Sequence, residues 1–367
     1  MTESKAGAAT IALTGVLLQC RPGFEKDCAA EAIALAAAAG LPAYCRAVPG
    51  SAYVELMSAE SDRLAEWFAA SDFKRVVFAR QWFGVLRRLH GLTPDNRVDP
   101  ILSALRNFPG PYADGWLEYP DSNEGRAIAT FCGKFATPLR RALRRAQYIA
   151  QGGSNSGRPR LHLFFEDSSK ALLGYCDPAN ASPWPLGIPR LKMPRSAPSR
   201  SALKLEEAFW TFLTAPERHE RLAPGMTAVD LGAAPGGWTW QLVRRNIHVT
   251  AVDNGPMSRA LLDSGLVEHK RVDGFHYRPR RAVDWLVCDM VEQPHRVTRL
   301  VADWLAEGLC REAVFNLKLP MKQRFKAVEE CLNLLRTTIA RQRVRMEWAC
   351  KQLYHDREEV TVHVRRL

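Results

Sequence analysis

The 367-residue sequence predicts a Rossmann-like α/β domain, with a mostly parallel sheet and an antiparallel last strand, preceded by two smaller α+β modules. From Ser201 to Leu367 short apolar runs alternate with amphipathic helical ones, the pattern of a parallel sheet covered by helices on both faces. Within that alternation TAVDLGAAPGGWTW (227–240) reads as a buried strand, a glycine turn and a helix. Before it, the first part of the chain runs strand, helix, strand, helix, strand, which suits a ferredoxin-like α+β module.

In order, Ile11–Gln19 reads as a strand and Glu25–Ala39 as an alanine-rich helix stopped by Gly40 and Pro42. Ser51–Met57 reads as a strand, Asp62–Ala70 as a helix and Arg75–Phe83 as a strand, which completes a module over residues 1–90. Residues 91–177 make a second module, with helices over Asp99–Phe108 and Thr137–Ile149 and strands over Gly115–Tyr119, Leu161–Glu166 and Lys170–Cys176. Arg140, Arg141, Arg144 and Arg145 recur at spacings of one and four and share a helix face, with Lys134 just upstream. Such a face either grips a phosphate backbone or is simply solvated. Residues 178–200 carry prolines at 178, 183, 185, 189, 194 and 198 together with Arg190, Lys192 and Arg195, so they form a plain spacer or a basic strap touching RNA.

In the domain over residues 201–367, Ser201–Leu213 reads as a helix with Leu205, Ala208, Phe209 and Phe212 inward. Strands are expected over Ala228–Leu231, Val249–Asp253, Val267–Val272, Trp285–Asp289, Val314–Lys318, Val344–Trp348 and Val360–Arg365. Helices are expected over Trp238–Arg245, His295–Glu307 and Met321–Ala340. Gly232, Gly236 and Gly237 permit a tight turn and close approach of a ligand to main chain. Asp253, at a second strand tip, is placed to accept bonds from ribose hydroxyls. Pro235 removes a donor that a pyrophosphate cradle would use, so a dinucleotide is disfavoured.

Polar residues interrupt the apolar pattern at strand tips, where the ligand crevice of an open sheet lies. Asp289 ends WLVCD, Lys318 ends VFNLK and Lys204 lies on the opening helix. Glu359, with Glu358 just before it as the alternative, begins the final strand, and an antiparallel strand brings that end to the same edge.

A net charge of +12 and a pI near 9.4 fit a polyanionic partner, nucleic acid first, or a basic surface kept for solubility. Nine scattered cysteines with no C-x-x-C pair suggest reduced thiols of the cytoplasm and no metal site. Thr10–Cys20 superficially resembles a lipoprotein signal, but Glu3, Gln19 and a short apolar run favour a strand. No apolar run reaches the roughly 20 residues that would span a bilayer.

DLGAAPGGW resembles motif I of the S-adenosylmethionine-dependent class I methyltransferases, in the form found in the FtsJ-like ribose 2′-O-methyltransferases. Lys204, Asp289, Lys318 and Glu359 resemble the K-D-K-E tetrad of that superfamily. The segments SRSALKLEEAF, VDNGPM, VCDMVE, FNLKLPMK and LYHDREEVTVHVRR are similar to its RlmM type, which methylates a cytidine ribose in 23S ribosomal RNA. By position ahead of such a domain, residues 91–177 resemble a THUMP module.

The resemblance implies an enzyme with S-adenosylmethionine as cofactor and 23S ribosomal RNA as partner, free or in a pre-ribosomal particle. It implies no membrane, and a monomer suffices. Lys318 would be the base or would only steer the hydroxyl, Lys204 and Glu359 would position it and the ribose, and Asp289 would orient it near the cofactor sulfonium. Ala234, Pro235, Gly236 and Gly237 would meet the methionine part of the cofactor, Ser201 would close that end, and Asp273 would meet the adenine. Phe275 and Tyr277 are adenine neighbours or core aromatics. Lys134, the four arginines, Arg190, Lys192 and Arg195 would contact RNA.

The alternatives are a 2′-O-methyltransferase for another RNA and a non-catalytic RNA-binding protein that keeps the fold. An amino-group methylase would be expected to carry an N-P-P-Y-like motif where this chain has DMVE, and Cys288 lies inside a strand rather than in the P-C setting of a cytosine-C5 enzyme.

Overall fold

The computed structural model describes residues 11–108, 110–150 and 157–367 and divides into two units, Met1–Ile188 and Pro189–Leu367, each built on a seven-stranded sheet. Unit 1 comprises β1 (Gly15–Gln19), α1 (Glu25–Ala38), β2 (Tyr44–Ala47), β3 (Tyr53–Met57), α2 (Ser61–Ala70), β4 (Gln81–Leu89), α3 (Val98–Leu105), β5 (Gly115–Glu118), α4 (Gly125–Arg145), β6 (Arg160–Phe165) and β7 (Ala171–Cys176). Its sheet order is β2-β3-β1-β4-β7-β6-β5, so strands of both expected N-terminal modules share one sheet through the antiparallel pairing of β4 with β7.

Unit 1 contains a strand that was not expected, β2, and two further elements are placed differently. The third strand is not Arg75–Phe83 but Gln81–Leu89, preceded by a 3₁₀ turn over Phe73–Arg75. Its apolar lead-in is buried, yet the amides of Val77 and Phe78 donate to the buried Glu31 carboxylate at 2.5 and 2.8 Å, so they are withdrawn from any ladder. The arginine-bearing helix starts at Gly125, twelve residues before the expected Thr137, and runs through Pro138. Cys132, Leu139 and Leu143 are buried on this helix, with Phe131 and Phe135 packed alongside, and that burial outweighs the hydrogen bond proline removes. The proline-rich chain is laid down as a strap as far as residue 187. Trp82 Nε1 donates to the Asn180 carbonyl at 2.7 Å, and Leu186 N donates to Glu118 Oε1 at 2.6 Å.

Unit 2 comprises α5 (Ala202–Phe212), α6 (Ala215–Arg221), β8 (Thr227–Leu231), α7 (Gly237–Val243), β9 (His248–Val252), α8 (Arg259–Leu262), β10 (Val267–Lys270), β11 (Val283–Cys288), α9 (Pro294–Ala306), β12 (Cys310–Lys318), α10 (Arg324–Arg341), β13 (Met346–Lys351) and β14 (Glu359–Arg366). The sheet order is β10-β9-β8-β11-β12-β14-β13. The strands from β10 to β12 are parallel, and β14 and β13 are antiparallel, as expected. Right-handed crossovers to either side of β8 and β11 place the intervening helices on opposite faces. A crevice therefore opens beyond the carboxyl ends of β8 and β11, where the order reverses. Beneath it Phe209, Trp238, Leu242, Trp285 and Val314 form one buried core.

Candidate active site

Gly232 and Gly236 occupy left-handed backbone, at φ 78° and 114°. A Cβ on Gly236 would come within 2.3 Å of Leu261 Cδ1, and one on Gly237 within 2.1 Å of Ser201 Oγ. These glycines let the turn between β8 and α7 lie flat against its neighbours. Asp253, just past β9, clamps that turn: Oδ2 accepts from Ala234 N at 3.0 Å and Oδ1 from Gly255 N at 2.7 Å. Pro235 O accepts from Ser258 N at 3.0 Å, and Gln241 Nε2 ties α7 to the Ala202 carbonyl at 2.8 Å. Ser201 exchanges a 2.7 Å hydrogen bond with Ser199 behind Gly237.

Three carboxyl groups, Asp230, Asp253 and Asp289, stand at the ends of the neighbouring strands β8, β9 and β11. Burial, reinforced by the charges of Asp289 and Asp253, pushes Asp230 up to about 7 although Thr239 donates to its Oδ2 at 2.6 Å. Its Oδ1 is buried without a hydrogen-bond partner.

At the adjoining strand ends, two lysines and two carboxylates interleave. Lys318 Nζ donates to Asp289 Oδ1 at 2.7 Å and lies 3.6 Å from Glu359 Oε2. Lys204 Nζ stands 3.5 Å from Asp289 Oδ2 and forms an ion pair with Glu359 Oε1. The antiparallel register sets Lys318 directly opposite Glu359 across β12 and β14. Glu358 points elsewhere, exposed and bonded to Arg324 Nη2 at 2.7 Å. Burial pulls the Lys204 ammonium down, but Asp289 and Glu359 more than offset it and hold its pKa above the ordinary value.

A supporting layer was not visible in the sequence. Asn316, fully buried on β12, donates through Nδ2 to Asp289 Oδ1 at 2.9 Å, and its Oδ1 accepts from Thr361 Oγ1 at 2.8 Å. Thr361 Oγ1 in turn lies within 3.1 Å of both Asp356 oxygens. Burial and then the Glu359 charge hold the Asp356 carboxyl well above the usual range. The signal for Asn316 was its spacing of two from Lys318, which puts both side chains on one face of a strand.

The remaining expected residues lie apart from this quartet. Asp273 is exposed after β10, its carboxylate bonded to Phe275 N at 2.8 Å and His276 Nδ1 at 2.9 Å. Phe275 carries the Arg296 guanidinium 4.5 Å over its ring, and Tyr277 lies 6.4 Å from Trp304. Lys134, Arg140, Arg141, Arg144 and Arg145 are exposed on α4, and Arg190, Lys192 and Arg195 are exposed at the start of unit 2. Cys288 is buried, and burial raises its thiol to about 12, which removes it as a nucleophile. Among the described residues no group of His, Cys, Asp and Glu could hold a metal, and no helix is long and apolar enough to cross a membrane.

A mostly parallel sheet with an antiparallel end, a glycine turn at the reversal point and this quartet define a class I methyltransferase. A family model described as FtsJ-like methyltransferase matches residues 197–346. The chain belongs to the ribosomal RNA large subunit methyltransferase M family. The RlmM ferredoxin-like domain model matches residues 13–83, and the model of the N-terminal region of that methyltransferase matches 96–177. The family's protein from Methylococcus capsulatus is 53% identical over 95% of this chain and 97% of its own length. Those from Azotobacter vinelandii and Pseudomonas aeruginosa are 50% and 48% identical, over 97% and 96% of this chain and 99% of their own lengths.

The cofactor is S-adenosylmethionine, and the crevice suits it. The ligand is cationic at its sulfonium and amino groups, and the three clustered carboxyl groups, one with an unpartnered buried oxygen, suit such charges.

Proposed function

We propose that this protein methylates a ribose 2′-hydroxyl of large-subunit ribosomal RNA, on a cytidine of the 23S molecule, in the cytoplasm. The observation that carries this reading is the interleaved quartet of Lys204, Asp289, Lys318 and Glu359 at the edge of the cofactor crevice. Bound S-adenosylmethionine supplies an electrophilic methyl group. What remains for the chain is to align a hydroxyl and remove its proton.

Lys204 is the fixed cation, held between Asp289 and Glu359. Lys318 is the more exposed lysine, its side chain 23% accessible against 16%, and is the one presented to the hydroxyl as base. Asp289 orients Lys318 and is itself held by Asn316, while Glu359 positions both lysines. Ala234, Pro235, Gly236, Gly237 and Ser201 hold the methionine part of the cofactor, Asp253 its ribose, and Asp273 with its neighbours its adenine.

The test is incubation of the protein and labelled S-adenosylmethionine with RNA from a strain lacking the gene. Label should appear at one alkali-resistant linkage in 23S RNA. Label on a base, or none in ribosomal RNA, would refute the reading.

Asp253→Ala should weaken cofactor binding by about 1.5–3 kcal/mol, because it removes acceptors for ribose hydroxyls and the clamp on Ala234. Calorimetry on the folded variant checks this; unchanged affinity would take Asp253 out of the site.

The exposed cations of α4 would take RNA phosphates in a substrate-binding module of the THUMP kind. Replacing Arg140, Arg141, Arg144 and Arg145 by Ala should lower the log-log salt slope of RNA binding by roughly 0.7–0.9 for each phosphate no longer neutralised, with cofactor affinity intact. Equal slopes in parent and variant would leave this helix a solvated face.

A further inference from the structure

We propose that the groove leading away from Lys318 along α9 and α10 is the track for the single-stranded RNA that flanks the methylated nucleotide, with Lys322 and Lys326 taking its phosphates. The proposal rests on the reading of the quartet as the methyl-transfer site. It extends that site to an electrostatic subsite in unit 2.

The groove has a volume of about 600 Å³, includes Lys318 in its wall, and continues past Pro320, Lys322, Lys326 and His295. A second concavity of about 750 Å³ shares His295 and Glu330 with the first and adds Arg278, Arg296 and Arg299. The two concavities, which share His295 and Glu330, thus bring several cations together beside Lys318, as a polymer of repeated phosphates requires and a single small anion does not.

Acidic groups also face this groove. Glu292 is bonded to Arg296 at 2.5 Å, and Glu330 lies 3.4 Å from His295 Nε2 and 3.9 Å from Lys326 Nζ, while Asp303 joins the wall of the second concavity. Lys322 is exposed and makes no hydrogen bond or ion pair among the described residues. Its charge is therefore free for a ligand.

The strand ends beside the quartet indicate that the RNA is unpaired here. Val291 follows Asp289 by two residues and is 90% exposed; Met321 follows Lys318 by three and is 89% exposed. Both leave the sheet at the edge where the parallel neighbours β11 and β12 end. Single exposed aliphatic residues are ordinary, but two at the mouth of one site offer apolar surface to unstacked bases. A duplex hides the faces of its bases, whereas a splayed strand presents them.

The experiment is equilibrium binding of a 23S RNA transcript over a salt series, by the parent, Lys322→Ala/Lys326→Ala and Lys322→Arg/Lys326→Arg, with methyl transfer by the parent followed in parallel. The alanine pair should lower the log-log slope by about 1.4, roughly 0.7 for each phosphate on a single strand, and weaken binding at 0.1 M salt by on the order of tenfold. The arginine pair should keep the parent's slope, which separates loss of charge from loss of fold. A slope unchanged in the alanine pair overturns the track whether or not the parent transfers methyl groups. A lowered slope with a parent inactive on ribosomal RNA overturns the reading of the quartet and leaves the groove as an RNA site. Competition by a perfect RNA duplex as effective as that by an unstructured oligoribonucleotide overturns the assignment to a single strand.

Discussion

Lys318→Ala should lower single-turnover methyl transfer on the order of a thousandfold or more, while the protein stays folded and binds its cofactor like the parent. General-base catalysis contributes in this range, and the loss falls on the transition state rather than on binding. The side chain ends at the sheet edge, partly exposed, so its removal opens no cavity in the core. Lys318→Arg is the sharper variant. A guanidinium keeps the charge and the hydrogen bond to Asp289, but it cannot give up its proton near neutral pH. If Lys318 takes the proton, the arginine variant is almost as inactive as the alanine one. Substantial activity in Lys318→Arg would show that Lys318 only orients the hydroxyl and that solvent or another group removes the proton.

Asp230→Asn should stabilise the cofactor-free protein by up to about 4 kcal/mol above neutral pH. Burial holds this carboxyl at about 7, well above its ordinary value, so the fold prefers it protonated. A folded value raised above the unfolded one means that the stability this group contributes is complete below about pH 4. It is lost progressively as the pH climbs through 7. The amide has the shape of the protonated acid, can still accept from Thr239 Oγ1, and carries no charge to desolvate. The gain over the parent should therefore be absent near pH 4 and grow until about pH 7, which urea unfolding at several pH values measures. Parallel stability curves for the two proteins would mean that Asp230 is already solvated or paired when ionised.

The quartet was legible because each member breaks an apolar pattern at the tip of a predicted element. Asp289 and Lys318 lie at the ends of parallel strands, and Glu359 begins the antiparallel one. The glycine turn was legible for a local reason: backbone that adopts left-handed φ tells in composition. Asn316, Thr361 and Asp356 were not, because their role lies in hydrogen bonds spanning 5 to 45 residues and their types look ordinary in a strand and a loop. The strand at Arg75–Phe83 was misplaced for the same kind of reason. Glu31, more than forty residues earlier, takes the amides that its apolar lead-in would have given to a ladder.

By itself the sequence determined the parallel order with its antiparallel end, the cofactor turn and the residue types of the site, since these follow from periodicity, turn chemistry and strand ends. Only the tertiary structure decided which glutamate faces the lysines. Glu358 and Glu359 are adjacent and chemically alike, and the pleat sends one side chain to the crevice beside Lys204 and the other outward to Arg324. It also decided the true start of α4 and the single sheet of unit 1, because burial against distant partners there exceeds the preferences of the local chain.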